Sequence, residues 1–180
     1  MNEDIVSKWN EDVQERDVVI IIGDFAWKRP AYWAQRLNGR KWLVYGNHDK
    51  LNHDDKKHFG KVTQALERKI NGVWCYFHHY AGITWPRKSN GSYMFYGHSH
   101  GRIVENEYHR RASVGMDVWG MRVVPIECLF AKMEAKLPTP PMTDEQRTKL
   151  DSIVLDNLND NLVVYQKYKE NKHGTPPTRY

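Results

Sequence analysis

The sequence predicts an α/β fold, a layered sheet with helices on the outside. Three observations carry that reading. VVIII (18–22), KWLVY (41–45) and SYMFY (92–96) are short, continuous apolar runs rich in strand-forming residues, the pattern of strands buried on both faces. Helix-patterned segments alternate with the first runs, and a more β-rich stretch follows. Each run ends on a glycine and then polar side chains: Gly23-Asp24, Gly46-Asn47-His48-Asp49 and Gly97-His98-Ser99-His100. In sheets of this kind, ligand sites form at the carboxyl ends of the strands.

The elements follow in order. Residues 2–15 place Ile5, Val6, Trp9 and Val13 on one helical face. VVIII is the first strand. Pro30, with its fixed φ and missing N–H, opens a second helix that runs to about Leu37. KWLVY is the second strand. ALERKI and VWCYF flank Asn71-Gly72, a hairpin turn signal. SYMFY, RASV and RVVP read as further strands, and PIECLFAKM as a short helix. The composition then changes, which divides the chain into a domain over 1–136, a proline-rich linker over 137–142 and a C-terminal segment over 143–180. In that segment Thr143 and Gln146 fit a capping box. The helix they open is expected to reach about Tyr168, with Leu150, Ile153, Leu158, Leu162 and Tyr165 as its apolar stripe and a frayed tail beyond it.

Composition limits the function. With 27% charged and 40% hydrophobic residues in 180, the chain is globular rather than disordered. No apolar run approaches the roughly 20 residues of a membrane span, and the start, MNEDIVSKWN, has no signal-type apolar core. A cytoplasmic protein without a membrane partner is expected. Cys75 and Cys128 form no metal-type pair and read as two reduced thiols. The formal net charge of +5 favours anionic partners, phosphate esters among them.

The strand ends carry the chemistry. Asp24, Asn47, the pair His78-His79, His98 and His100 supply carboxylate, amide oxygen and imidazole, the ligand set of borderline divalent metals such as Mn, Fe, Ni or Zn. Singly, each cluster also reads as a turn, a helix cap or a core histidine. Four of them in order, each at a strand end, point to one site.

In these residues the chain resembles the calcineurin-like metallophosphoesterases. GDFAW, GNHD, the histidine before Tyr80 and GHSHG match that family's motifs in the family's order, and RLNGRKWLVYGNHD and SVGMDVWGMRVVPIECL resemble its small bacterial and phage members. The resemblance covers roughly residues 1–135. It implies a four-layer β-sandwich flanked by helices, with a two-metal site. Asp24 would bridge the metals, Asn47, His79 and His98 would complete one, and His100 would ligate the other. His48 would protonate the leaving oxygen, and Asp49 would orient His48. His79 is chosen over His78 because the family's Ser-His-Tyr-Pro aligns with His78-His79-Tyr80-Ala81, with alanine in the place of proline. Two cations roughly 3.5–4 Å apart clamp both oxygens of an in-line displacement and lower the pKa of a shared water.

One family motif has no counterpart. No histidine precedes His48, and Asp4, Asp12 and Asp17 follow no buried strand, so the Asp-x-His that would share a metal with His100 is missing. The chain is therefore expected to begin one strand late. One metal would keep its ligands, the other would keep only Asp24 and His100, and VVIII would present a free edge that invites a homodimer. Three readings follow. The first is a Mn-type metal-dependent phosphodiesterase acting on nucleotides, nucleic-acid ends or other phosphate esters. The second is a one-metal or non-catalytic descendant that acts as a binding protein. The third is a nucleic-acid-binding module that stacks bases on Trp27, Trp33, Trp85 or Trp119 beside Lys28-Arg29 and Arg110-Arg111.

Overall fold

The computed structural model describes residues 2–105, 107–136 and 143–170. It divides into two compact units, Met1–Pro138 and Thr139–Tyr180. The expected linker, 137–142, lies outside the described residues, as does the tail beyond residue 170.

The first unit opens with α1 (Asn2–Asp12), β1 (Val18–Ile22), α2 (Pro30–Arg36) and β2 (Arg40–Val44). A short helix α3 (His53–Lys56) and strand β3 (Lys61–Thr63) follow, then the hairpin β4 (Ala65–Ile70) and β5 (Val73–His78). The unit closes with β6 (Tyr93–Tyr96), β7 (Arg111–Ser113) and α4 (Ile126–Glu134). β1, β2 and β3 form a parallel sheet in that order. β4, β5, β6 and β7 form a second sheet, antiparallel between β4 and β5 and parallel thereafter.

Period-2 alternation sorts the side chains into layers. Ile22 and Val44 of the first sheet meet Leu66, Cys75, Phe77 and Phe95 of the second in the main core, which α4 closes with Leu129, Phe130 and Met133. Each large side chain buried there contributes about 1.5–3 kcal/mol. The intervening residues face outward. Val19 packs with Trp9, Val13 and Leu37, and Leu43 packs with Ala34 and Phe59, so α1 and α2 cover the first sheet. Met94 and Tyr96 pack with Trp85 on the far face of the second. The fold is thus a β-sandwich flanked by helices.

Three details depart from the sequence reading. RVVP is not a strand: Met121 takes a left-handed φ of 60°, and Pro125 caps α4, which leaves no room for one. α3 and β3 were not expected. α3 is held by a reciprocal cap, in which the Asn52 side chain accepts from Asp55 N and the Asp55 carboxylate accepts from Asn52 N.

β1 is the end strand of its sheet. Beside it lies a cavity of about 1220 Å³, lined by Val18–Ile22 and, among others, Phe95, Val114, Val124 and Ile126. Among the described residues no strand pairs with the other edge of β1, as the sequence led one to expect.

In the second unit, α5 (Asp144–Glu170) begins with the expected capping box. Thr143 N donates to Gln146 Oε1 at 3.0 Å, and Gln146 N donates to Thr143 Oγ1 at 3.2 Å. Among the described residues, no helix is long and apolar enough to cross a membrane.

Candidate metal centre

Asp24 follows β1 directly. Gly23 and Asp24 both adopt left-handed φ, 79° and 55°, which turns the chain sharply off the strand end. Side chains at Gly23 and Gly46 are excluded by contact. A Cβ at Gly23 would lie 2.2 Å from His79 Nδ1, and one at Gly46 would lie 2.3 Å from Asp24 Oδ1. Gly23 and Gly46 therefore leave the space that His79 and Asp24 occupy. His98 and His100 also take left-handed φ, 56° and 49°. Such strain in non-glycine residues persists only where surrounding contacts enforce it, and it gathers at functional sites.

The Asp49 carboxylate fastens the two loops together. It accepts from Gly46 N at 2.8 Å, Asp24 N at 2.9 Å and Phe25 N at 2.8 Å. Asp49 was expected to orient His48. Instead both of its oxygens serve main-chain donors, because the two loops turn three N–H groups towards it. The His48 ring lies against the indole of Trp27, with centroids 4.3 Å apart and planes tilted by 31°. The backbone N–H of His48 donates to Asp24 Oδ1 at 2.9 Å, which sets His48 at the border of the site.

His79 is the buried donor, 2% exposed. Its Nδ1 lies 2.9 Å from the carbonyl of Ile22, which can only accept, so Nδ1 carries a proton. In the neutral ring Nε2 then holds a lone pair. That atom lies 3.0 Å from Asn47 Oδ1 and 3.4 Å from Asp24 Oδ2. With Nε2 unprotonated, three lone-pair atoms converge there and repel one another unless a cation sits among them. The donor set and its spacing fit a divalent metal. The carboxylate of Asp24 and the rings of His79 and His98 each bring one ligand atom within 4.8 Å of the other two.

His98 lies edge-on to His79 at 5.0 Å and to Tyr80 at 4.5 Å between centroids. His78 turns away, with its Nδ1 3.0 Å from Tyr80 O. Asp24, Asn47, His79 and His98 thus come together. His100 stands apart from the three-residue group and pairs with Asp117, Nδ1 to Oδ2 at 2.8 Å. The sequence reading gave Asp117 no role. Its sequence signal is the Gly115-Met116-Asp117 turn after β7, inside the family-like stretch SVGMDVWGMRVVPIECL.

Comparison with known proteins gives the family and the fold. The family model described as the calcineurin-like phosphoesterase superfamily domain matches residues 1–120. An uncharacterized protein of Methanocaldococcus jannaschii, MJ1445, is 23% identical over 144 residues, covering 74% of this chain and 76% of its own. The gene 66 protein of Mycobacterium phage D29 is 25% identical over 144 residues, covering 62% and 72%. The crystal structure of a protein of unknown function from Aquifex aeolicus, AQ665, superposes with a TM-score of 0.57 at 18% identity, over 73% of this chain and 84% of that one. That structural likeness shows the shared fold. By the family match over residues 1–120, the chain belongs to the calcineurin-like phosphoesterase superfamily.

Proposed function

We propose that the chain is a metal-dependent phosphodiesterase. The observation that carries the proposal is that Asn47 Oδ1 and Asp24 Oδ2 lie 3.0 and 3.4 Å from His79 Nε2, with His98 beside them. Mn²⁺ fits these nitrogen and oxygen donors, as do Fe²⁺, Ni²⁺ and Zn²⁺. A cation held there supplies charge for the phosphoryl oxygens and acidity for a water. The residues of the chain do the rest. Asp24, Asn47, His79 and His98 hold the cation. His48, exposed at the rim, would give a proton to the leaving oxygen. Trp27, 78% exposed, and the adjacent Lys28 and Arg29 offer an aromatic and cationic surface to the leaving group. A substituent on each side of the phosphorus suits a rim this open.

The test is hydrolysis of bis(p-nitrophenyl) phosphate by the full chain with added Mn²⁺. The expected result is metal-dependent turnover that drops about 10²-fold or more in His48→Ala, with Mn²⁺ binding retained. Folded protein that binds Mn²⁺ and turns over neither diester nor monoester would overturn the proposal. It would favour a one-metal binding protein.

A further inference from the structure

We propose that Asp117 is a positioning carboxylate for His100, the residue to which the family resemblance gives the second metal. The inference rests on the metal-dependent reading above.

The geometry begins with the tautomer. Asp117 Oδ2 lies 2.8 Å from His100 Nδ1, and an ionised carboxylate only accepts. Nδ1 therefore carries the proton, and in the neutral ring Nε2 is left with a lone pair for a cation. The second oxygen, Oδ1, accepts from Val118 N at 3.1 Å, so the carboxylate is fixed at both ends and acts through His100. His100 needs such an anchor. Its side chain is 67% exposed, whereas that of Asp117 is 32% exposed, and a histidine at an open rim otherwise samples several rotamers. A carboxylate behind a ligating imidazole fixes the ring and raises its basicity.

The two loops are shaped for this contact. A Cβ at Gly115 would fall 2.6 Å from Asp117 Oδ1, in the place the carboxylate occupies. A Cβ at Gly101, whose φ is +72°, would fall 2.8 Å from Val118 Cγ1. Glycine at both positions lets the loop after β6 and the turn after β7 close on each other. Asp24, His98, His100 and Asp117 all line the one cavity beside β1, so the pair faces the same space as the first group.

The experiment counts and weighs bound metal without reference to turnover. The apo full-length chain is titrated with Mn²⁺, and free Mn²⁺ is followed by electron paramagnetic resonance, for the native chain, Asp117→Ala, Asp117→Asn, His100→Ala and the double variant. The native chain is expected to take up Mn²⁺ in a tight and a weak step. Asp117→Ala should weaken the weak step by about tenfold to a hundredfold and spare the tight one. Asp117→Asn, whose amide oxygen can still accept from Nδ1–H, should lose less. In the His100→Ala background, Asp117→Ala should add nothing, which a merely structural role would not produce. Thermal melts show that each variant is folded. A single step in the native chain, an unchanged weak step in Asp117→Ala, or a full further loss in the His100→Ala background would overturn the inference while the phosphoesterase reading stands. A native chain that takes up no Mn²⁺ would remove both.

Discussion

Asp49 shows how one side chain can hold a site together without touching a ligand's ring. Its two oxygens accept from three backbone N–H groups on two loops, those of Gly46, Asp24 and Phe25. Hydrogen bonds to a charged acceptor are the strong kind, and removing the acceptor leaves three half-buried donors without a partner. Asp49→Ala is therefore expected to lower the unfolding free energy by about 3 kcal/mol, as measured by urea denaturation. It should also weaken metal binding, because Asp24 then loses the anchor on its own backbone. If stability is unchanged and only the pH dependence of turnover moves, Asp49 works on His48 after all. At this scale the sequence was informative about which residues gather, since Gly-Asp, Gly-Asn-His-Asp and Gly-His-Ser-His all stand at strand ends. It could not show what each residue touches. The Asp49 clamp, the Trp27–His48 stack and the His100–Asp117 pair all join segments that are distant in the chain or differ in backbone conformation, and no local pattern encodes them.

At the scale of elements, a buried strand makes a chemical prediction. Cys75 lies in the middle of β5, in the main core, and is 1% exposed. Burial pushes its thiol up to about 12, so no useful fraction is thiolate near neutrality, and the thiolate is the reactive form. Cys128 on α4 is exposed. Titration with Ellman's reagent at pH 8 should find one thiol per native chain and two in denaturant; two in the native chain would mean that β5 opens readily. Strands such as β1, β2 and β6 were legible because each is a continuous apolar run. β3 was not, because Lys61–Thr63 is too short for a pattern and becomes a strand only by pairing with Trp42–Val44. RVVP failed in the other direction. Its valines are apolar enough for a strand, but the left-handed turn before them and Pro125 after them leave them as packing residues: Val123 and Val124 join two different cores.

At the scale of the molecule, the free edge of β1 is the unusual feature. Protein interiors are normally packed to crystal-like density, with few voids larger than a water. Here a groove of about 1220 Å³, partly open to solvent, is lined by all five residues of β1 and by Asp24, His98 and His100. Among the described residues β1 has a neighbouring strand on one side only, whereas β2 has one on each, so part of the main-chain N–H groups of β1 face the groove. Two consequences follow for the isolated chain. The apolar lining should bind 8-anilinonaphthalene-1-sulfonate in native buffer, with enhanced fluorescence that disappears in denaturant. Amides of residues 18–22 should exchange with deuterium faster than those of 40–44, although the two strands are of equal length and adjacent in the same sheet. A homodimer formed through this edge makes the opposite prediction: a dark dye, a protected β1 and twice the chain mass in sedimentation. The dye and exchange results together therefore decide whether the groove beside the metal ligands is open in solution or covered by a second copy. In the covered case, diluting the protein until the dimer separates should restore both the fluorescence and the fast exchange of β1, because the same edge would then be bare.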